Sequence, residues 1–314
     1  PRRRCGTRSP DGRSAGCLMQ ATDAVERPVA SPAPMARVAR MSDSPAPSAD
    51  STTDAPRRVT IERDGHLLLI GLDRVDKRNA ADLAMLQQLA LAYGELDRDE
   101  EARVGVVFAH GDHFTGGLDL GDIAPRVGPE GLAMVPEGGL DPWGVQGPRV
   151  RKPVVLAVQG TCLTLGIELA LASDVVVAAS DTSFSQLEVA RAILPFGGAT
   201  LRFPAVAGWS NAMRWMLTGD RFDAVDAARM GIVSEIVEPG EQLARAVELA
   251  HRISVQAPLA VQATLENARL AVAEGPVAAA SRLQGELVRL MQTEDARIGM
   301  EAFLRRETPR FVGR

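Results

Sequence analysis

Cysteine is scarce in this chain of 314 residues: Cys5, Cys17 and Cys162 are its three, with no CxxC pair among them. So odd and scattered a set argues against a disulfide framework and a structural zinc site, and for a reducing, cytoplasmic compartment. Lysine is scarcer still, with only Lys77 and Lys152. Arginine carries the rest of the positive charge, a bias that together with the abundant Ala, Gly and Pro reflects a GC-rich genome rather than a function. No apolar run approaches the roughly 20 residues that span a bilayer, so no membrane partner is expected. Also missing are a GxxxxGK[ST] phosphate loop, a GxGxxG opening a helix after the first strand, and a GxSxG elbow. Those absences count against nucleotide hydrolysis, dinucleotide redox chemistry and serine hydrolysis. His110 and His113 have a spacing that could grip a metal, but "HGDHF" offers no third ligand. They read as solvated loop histidines, and no metal is expected.

What is present is a globular composition, 46% hydrophobic and 24% charged, long enough for one large domain or two modest ones. Charge is unevenly spread. Residues 1–58 hold ten basic and six acidic side chains, and the other 256 residues hold 25 and 34. An acidic body without a basic stripe is a poor nucleic-acid binder. Residues 1–56 are rich in Pro, Ser, Ala and Arg without periodicity, and are expected to be a disordered tail.

Order is expected from "RRVTIERDGHLLLIGL", two strands around the turn Asp64-Gly65. Residues 81–98 predict a helix from Leu83, Leu86, Leu89, Ala90 and Tyr93 at helical spacing. Buried strands follow at 103–109, 153–158 and in "DVVVAAS", with a Gly/Pro-rich connection over 121–150. After "LPFGGATLRFPAVAG" helices are expected at 209–218, 223–230, 240–256, 258–274, 276–292 and 294–305. Strand–helix alternation followed by a run of helices predicts an α/β core, 57–251, with a helical C-terminal region, 252–314.

Two strand ends carry the chemistry. "FTGGLDL" follows the strand 103–109, and "LTLGIEL" follows the strand 153–158. Glycines at a strand end leave N–H groups uncovered, and a helix start aims free N–H groups outward. Two such donors converging on one point form an oxyanion hole; either turn alone is explained by topology. Glu168 stands in the first turn of an apolar helix, one turn beyond Leu165, and Glu188 stands in a second apolar neighbourhood. Burial raises a carboxyl pKa toward neutrality, where acid–base work needs it. A helix-capping or salt-bridged glutamate, with Arg191 or Arg202 as partner, is the alternative for each taken singly.

Together these residues resemble the crotonase (enoyl-CoA hydratase/isomerase) superfamily over roughly residues 58–313. "DKRNAADLAMLQQL" resembles its first CoA-contacting segment, and "HFTGGLDL" and "GTCLTLGIELALASDVVVAAS" its two oxyanion blocks. "FSQLEVARAILPFGGATLRFPAVAG", "MLTGDRFDAVDAARMGIVSEIV" and "TEDARIGMEAFLRRETPRF" follow the later pattern in order. The resemblance implies an α/β crotonase spiral of ββα repeats with a helical trimerisation region, assembled as a homotrimer or hexamer. It implies oxyanion donors at Gly116 and Leu165, catalytic Glu168 and Glu188, and an acyl-CoA substrate that brings its own coenzyme A, with no other cofactor. Lys77, Arg78, Ala80, Gly117, Leu118 and Asp119 fall in its substrate-contacting segments. Trp143, in the 121–150 connection, is expected to shape the acyl pocket. Hydration of an enoyl-CoA is the implied reaction; isomerisation, thioester hydrolysis, or a silent acyl-CoA-binding module are the alternatives. The chain departs from the family at Thr164-Leu165, where glycines are usual, at Leu187, often proline, and at Leu265, often lysine.

Overall fold

The hairpin expected around Asp64-Gly65 is formed by Val59–Asp64 (β1) and Leu67–Leu72 (β2), with Asp64 opposite Leu67. It opens a computed structural model that describes residues 56–314; apart from Pro56, the expected tail lies outside the described residues. Leu83–Arg98 (α1), Val104–Ala109 (β3) and Leu120–Ile123 (α2) follow, then Val154–Val158 (β4), Thr161–Leu163 (β5), Leu165–Ala172 (α3) and Val175–Ala179 (β6). Ser183–Ser185 (β7) leads through a 3₁₀ turn at Glu188–Arg191 to Ala199–Ala207 (α4) and Trp209–Thr218 (α5). Phe222–Asp223 (β8), Ala224–Arg229 (α6) and Glu235–Val237 (β9) precede Gln242–Ser254 (α7), Pro258–Glu274 (α8), Pro276–Met291 (α9) and Glu294–Arg305 (α10).

The large sheet has the order β1-β2-β3-β4-β6-β9, parallel except for β1. Side chains alternate along its strands. Leu67, Val104, Val106, Phe108, Val155, Ala157 and Val177 face one way and are covered by Ala246 and Ala250 of α7. Leu68, Ile70, Leu72, Val107, Leu156 and Val158 belong to the main core with α1 and α3. Both faces are covered, so these strands read as continuous apolar runs rather than alternating ones. Fully burying one such Val, Leu or Ile contributes about 1.5–3 kcal/mol. A charge placed at Val106 would therefore break the sheet's contact with α7.

A smaller sheet, β5-β7-β8, lies beside this one. The chain passes from β4 to β5 and then into α3, which is the expected ββα repeat. The same step carries it from β6 to β7. Because β5, β7, β8 and β9 are two or three residues long, no periodicity announces them. The helix expected from residue 81 starts at Leu83, because Asp82 caps it by accepting from the Met85 N–H at 2.9 Å. Ala81 instead bridges to Leu118, donating its N–H to the Gly117 carbonyl at 2.8 Å. That contact ties α1 to the first glycine turn. Helix α4 was not expected from the sequence, since Pro204 lies inside it.

Residues 57–251 and 252–314 fall in one compact unit, Thr53–Arg314. Arg269 of α8 anchors the helical region by donating to the Val150 carbonyl at 2.6 Å and to Asp174 at 2.9 Å. Arg103, just before β3, donates to the Phe311 carbonyl at 2.8 Å. Among the described residues, no helix is long and apolar enough to cross a membrane.

Candidate active site

The first junction is organised by Asn79, which is buried with a left-handed φ of 52°. Its amide donates to the carbonyls of His110 and His113 at 2.9 and 2.8 Å, and its Oδ1 accepts from the Arg74 N–H at 2.7 Å. This brings the Arg78 carbonyl against the glycine turn. There the Gly116 N–H, the expected oxyanion donor, is bound to the Arg78 carbonyl at 2.8 Å. The Gly117 N–H is bound to Thr115 Oγ1 at 3.1 Å. The next N–H, that of Leu118, has no acceptor among the described residues. The available donor of this turn is therefore Leu118 and not Gly116. A sequence motif does not reveal which of three successive N–H groups the fold has already used.

The second junction runs from β5 through Thr164 into α3. Helix α3 is apolar on all sides because it is buried on all sides. Its first N–H, on Leu165, has no acceptor among the described residues, as the opening turn of a helix dictates. The Leu165 carbonyl accepts from Trp143 Nε1 at 3.0 Å. Thr115 stitches the two junctions together, donating to the Thr161 carbonyl and accepting from the Leu163 N–H at 2.9 and 3.1 Å.

Glu168 is fully buried. Its Oε1 accepts from the Ala199 N–H at 2.9 Å, so it caps α4 and does not turn back to the N–H groups of its own helix. Its Oε2 has no partner among the described residues. Gly197 permits this arrangement, since a Cβ there would meet Glu168 Oε2 at 2.7 Å and the Trp143 ring at 2.9 Å. Burial pushes the Glu168 carboxyl above its ordinary range, against the hydrogen bond from Ala199. Glu188 is also buried; its Oε1 accepts from Gln186 Nε2 at 2.7 Å, and its Oε2 has no partner. Burial first, with the Glu168 charge adding to it, pushes the Glu188 carboxyl up to about 7. Neither Arg191 nor Arg202 pairs with a glutamate. Arg191 reaches the Ala190 carbonyl at 3.2 Å, and Arg202 binds the carbonyls of Trp143 and Gly197 at 2.6 and 3.2 Å.

A cavity of about 410 Å³ brings the junctions and Glu188 together, lined also by Leu163, Thr164, Leu187 and Phe196. Gly116, Leu118 and Leu165 are all on its wall. Glu168 is not among its lining residues. The other expected contacts are placed differently. Lys77 and Arg78 are exposed and in no ion pair among the described residues. The Ala80 carbonyl accepts from Arg74 Nη1 at 2.8 Å, and the Gly117 carbonyl is held by Ala81. Asp119 is ion-paired to Arg74 at 2.8 Å, which holds its carboxyl below the usual range; it secures the turn and does not line the cavity. Trp143 is buried and lines a small cavity of about 20 Å³ together with Leu165, Phe114 and Leu86, and does not line the 410 Å³ cavity. A roomier cavity, about 600 Å³, holds Arg58, Arg74, Arg126, Asp82 and Asp122, but those charges pair with one another or with Asp119.

His110 and His113 are half-buried structural groups and not solvated loop residues. His110 Nε2 meets Thr60 Oγ1 at 2.8 Å, and His113 Nδ1 accepts from the Thr161 N–H at 3.2 Å. Among the described residues, no group of three His, Cys, Asp or Glu side chains could hold a metal. Sequence reasoning missed Asn79, Gln186 and Asp141. Asp141, which is buried, accepts from the N–H groups of Trp143, Val145 and Gln146 and so shapes the 121–150 connection. A polar residue amid an apolar or Gly/Pro-rich stretch is the signal Gln186 and Asp141 left, whereas Asn79 follows charged residues and left none.

The geometry supplies two unpaired N–H groups, two buried carboxyls and a cavity large enough for a small acyl group. The family model described as "Enoyl-CoA hydratase/isomerase" matches residues 62–314. The chain is similar to the enoyl-CoA hydratase EchA19 of Mycobacterium tuberculosis, at 29% identity over 84% of this chain and 100% of that protein. It is 31% identical to the 2,3-dehydroadipyl-CoA hydratase of Escherichia coli, over 82% of this chain and 99% of the other. The crystal structure of "a probable enoyl-CoA hydratase/isomerase from Mycobacterium abscessus" superimposes with a TM-score of 0.79 at 54% identity, covering 82% of this chain and 99% of that one.

Proposed function

The chain belongs to the enoyl-CoA hydratase/isomerase family and has the crotonase fold, and from that premise we propose how it adds water across the α,β double bond of an acyl-CoA thioester. The observation that carries the reading is the meeting of Leu118 N–H, Leu165 N–H and Glu188 in one cavity, with the buried Glu168 near enough for its charge to act on Glu188. The thioester carbonyl accepts from both N–H groups, which stabilise the negative charge that develops on oxygen as water adds at the β carbon. One glutamate takes a proton from that water while the other delivers a proton to the α carbon. Hydration therefore needs one ionised and one protonated carboxyl. The pair supplies this because burial disfavours both charges and the Glu168 charge further disfavours ionisation of Glu188. Coenzyme A enters as part of the substrate.

We further propose that the active form is a homotrimer or hexamer. Leu283, Leu287, Val288 and Met291 of α9 and Phe303 and Leu304 of α10 are more than half exposed in the single chain, an apolar surface that a second copy would cover. The buried thiol of Cys162, pushed up by desolvation, and the acidic body fit a cytoplasmic enzyme that binds neither nucleic acid nor membrane. Purified protein tested against a panel of enoyl-CoA thioesters should form 3-hydroxyacyl-CoA, followed as loss of the conjugated absorbance. Double-bond migration without net hydration would assign an isomerase instead. Light scattering at micromolar concentration should return three or six copies, and a monomer would defeat the assembly.

A further inference from the structure

Thr164 carries two unfavourable features at one residue. Its φ of 50° and ψ of −112° lie where a β-branched side chain is an outlier, and where glycine is the ordinary choice. Its hydroxyl is buried and has no hydrogen-bond partner among the described residues, although an unpaired buried donor is costly. The residue also sits between the two N–H groups: Leu165 follows it directly, and its side chain packs on Gly117, the residue before Leu118. Gly117 has a φ of +92°, and the space a Cβ would take there is filled by Thr164 Oγ1, with the Thr164 Cβ and Cγ2 at 3.5 and 3.6 Å. Thr164 is held on its other sides, its N–H donating to the Ser185 carbonyl at 3.0 Å and its carbonyl accepting from Ile167 and Glu168. A glycine at 164 would relieve the backbone and empty the wedge in one step.

We infer that Thr164 is a positioning residue whose side chain, wedged against Gly117, fixes the separation between the Leu118 and Leu165 N–H groups. It touches no reacting atom; it acts through the two peptides. The inference rests on the proposed use of those N–H groups to polarise a thioester. Strain is retained because relaxing the wedge would let the Gly117–Leu118 peptide drift from the geometry the oxygen needs.

Thr164→Gly and Thr164→Val separate this role from a merely structural one. Glycine should raise the Tm, because it accepts the backbone angles. It should also lower kcat about ten-fold or more with little change in KM, the consequence of donors displaced by a fraction of an ångström. Valine keeps the wedge and removes a hydroxyl that leaves no partner behind, so kcat should stay within about three-fold of wild type, as replacing an unpaired buried polar group by an apolar one of the same shape allows. A third readout is the red shift of a conjugated aromatic enoyl-CoA on binding, which reports carbonyl polarisation without turnover. It should shrink in the glycine variant and persist in the valine variant. A glycine variant that melts higher with kcat and red shift intact would show the wedge idle, and one that melts lower would show no strain. A valine variant as impaired as glycine would make the hydroxyl the active group and overturn the wedge. Wild type that shifts the spectrum but hydrates no enoyl-CoA would defeat the hydration reading and leave the wedge standing.

Discussion

The two junctions that flank the cavity do the same job by opposite means. At Phe114–Leu118 the chain uses glycine: Gly117 takes a φ of +92° at no steric cost, and the Leu118 N–H is left free. At Leu163–Leu165 the chain puts threonine at a φ of 50° and frees the Leu165 N–H under strain. The first turn is permissive, and its position is set by neighbours: Asn79, Ala81 and Thr115. The second is stiff and sets the position of others, Gly117 among them. Flexible backbone and rigid wedge are thus complementary parts of one donor pair.

The comparison breaks most severely at Gly117. An alanine there would overlap Thr164 Oγ1 and sit at an unfavourable φ. Gly117→Ala should lower kcat/KM about 10²-fold, the scale of a one-ångström misplacement near the reacting centre, together with a lower Tm. Next is the support behind the second junction. Trp143→Phe keeps the ring but removes one of the donors to the Leu165 carbonyl, which keeps its helical bond, and should lower unfolding free energy by about 0.5–1.5 kcal/mol in denaturant titration.

A smaller effect appears as a pH dependence. Folding raises the Glu188 carboxyl to about 7, so between the ordinary carboxylate range and that value the folded chain holds more protons than the unfolded one. Stability from this group is present at low pH and is lost as pH rises through that window. Glu188→Gln removes the penalty, so its Tm should exceed wild type by more at pH 8 than at pH 5; a constant difference would deny the shift. The smallest effect should be at Gly116. Its N–H is already used, and a Cβ there would meet nothing closer than 3.6 Å. Gly116→Ala should leave kcat/KM within about two-fold, as a substitution clear of the reacting centre does. A large loss would show that the added methyl group intrudes on the bound substrate.

Much of this architecture was legible because long elements state their period. Helices α5, α8 and α10 match their expected spans of 209–218, 258–274 and 294–305, and α9 ends one residue early at Met291. The central strands of the large sheet, β2, β3, β4 and β6, announce themselves as apolar runs. What stayed illegible is short or tertiary. Strands β5 and β7 are three residues long, and α4 hides behind Pro204. The glutamates were legible as carboxylates in apolar surroundings, but their partners were not. Glu168 reaches an N–H 31 residues downstream, and Glu188 reaches Gln186. Whether Gly116 or Leu118 keeps a free N–H depends on where the Arg78 carbonyl lands, and only folding decides that. The apolar connection predicts Trp143 as a pocket wall; it is not among the residues lining the 410 Å³ cavity, and its indole N–H donates to the Leu165 carbonyl.

Steady-state hydration by Glu168→Gln, Glu188→Gln and the double variant tests the central claim most directly. Each single change keeps the shape of the side chain and removes its proton chemistry, and should lower kcat by about 10²–10⁴-fold. The double variant should be scarcely worse than the poorer single, because two groups acting as one unit do not add. Affinity for a saturated acyl-CoA should hold throughout, since the Leu118 and Leu165 N–H groups remain. Near-full activity in both single variants on every enoyl-CoA tested would contradict the account, leaving the two buried glutamates as parts of the fold alone.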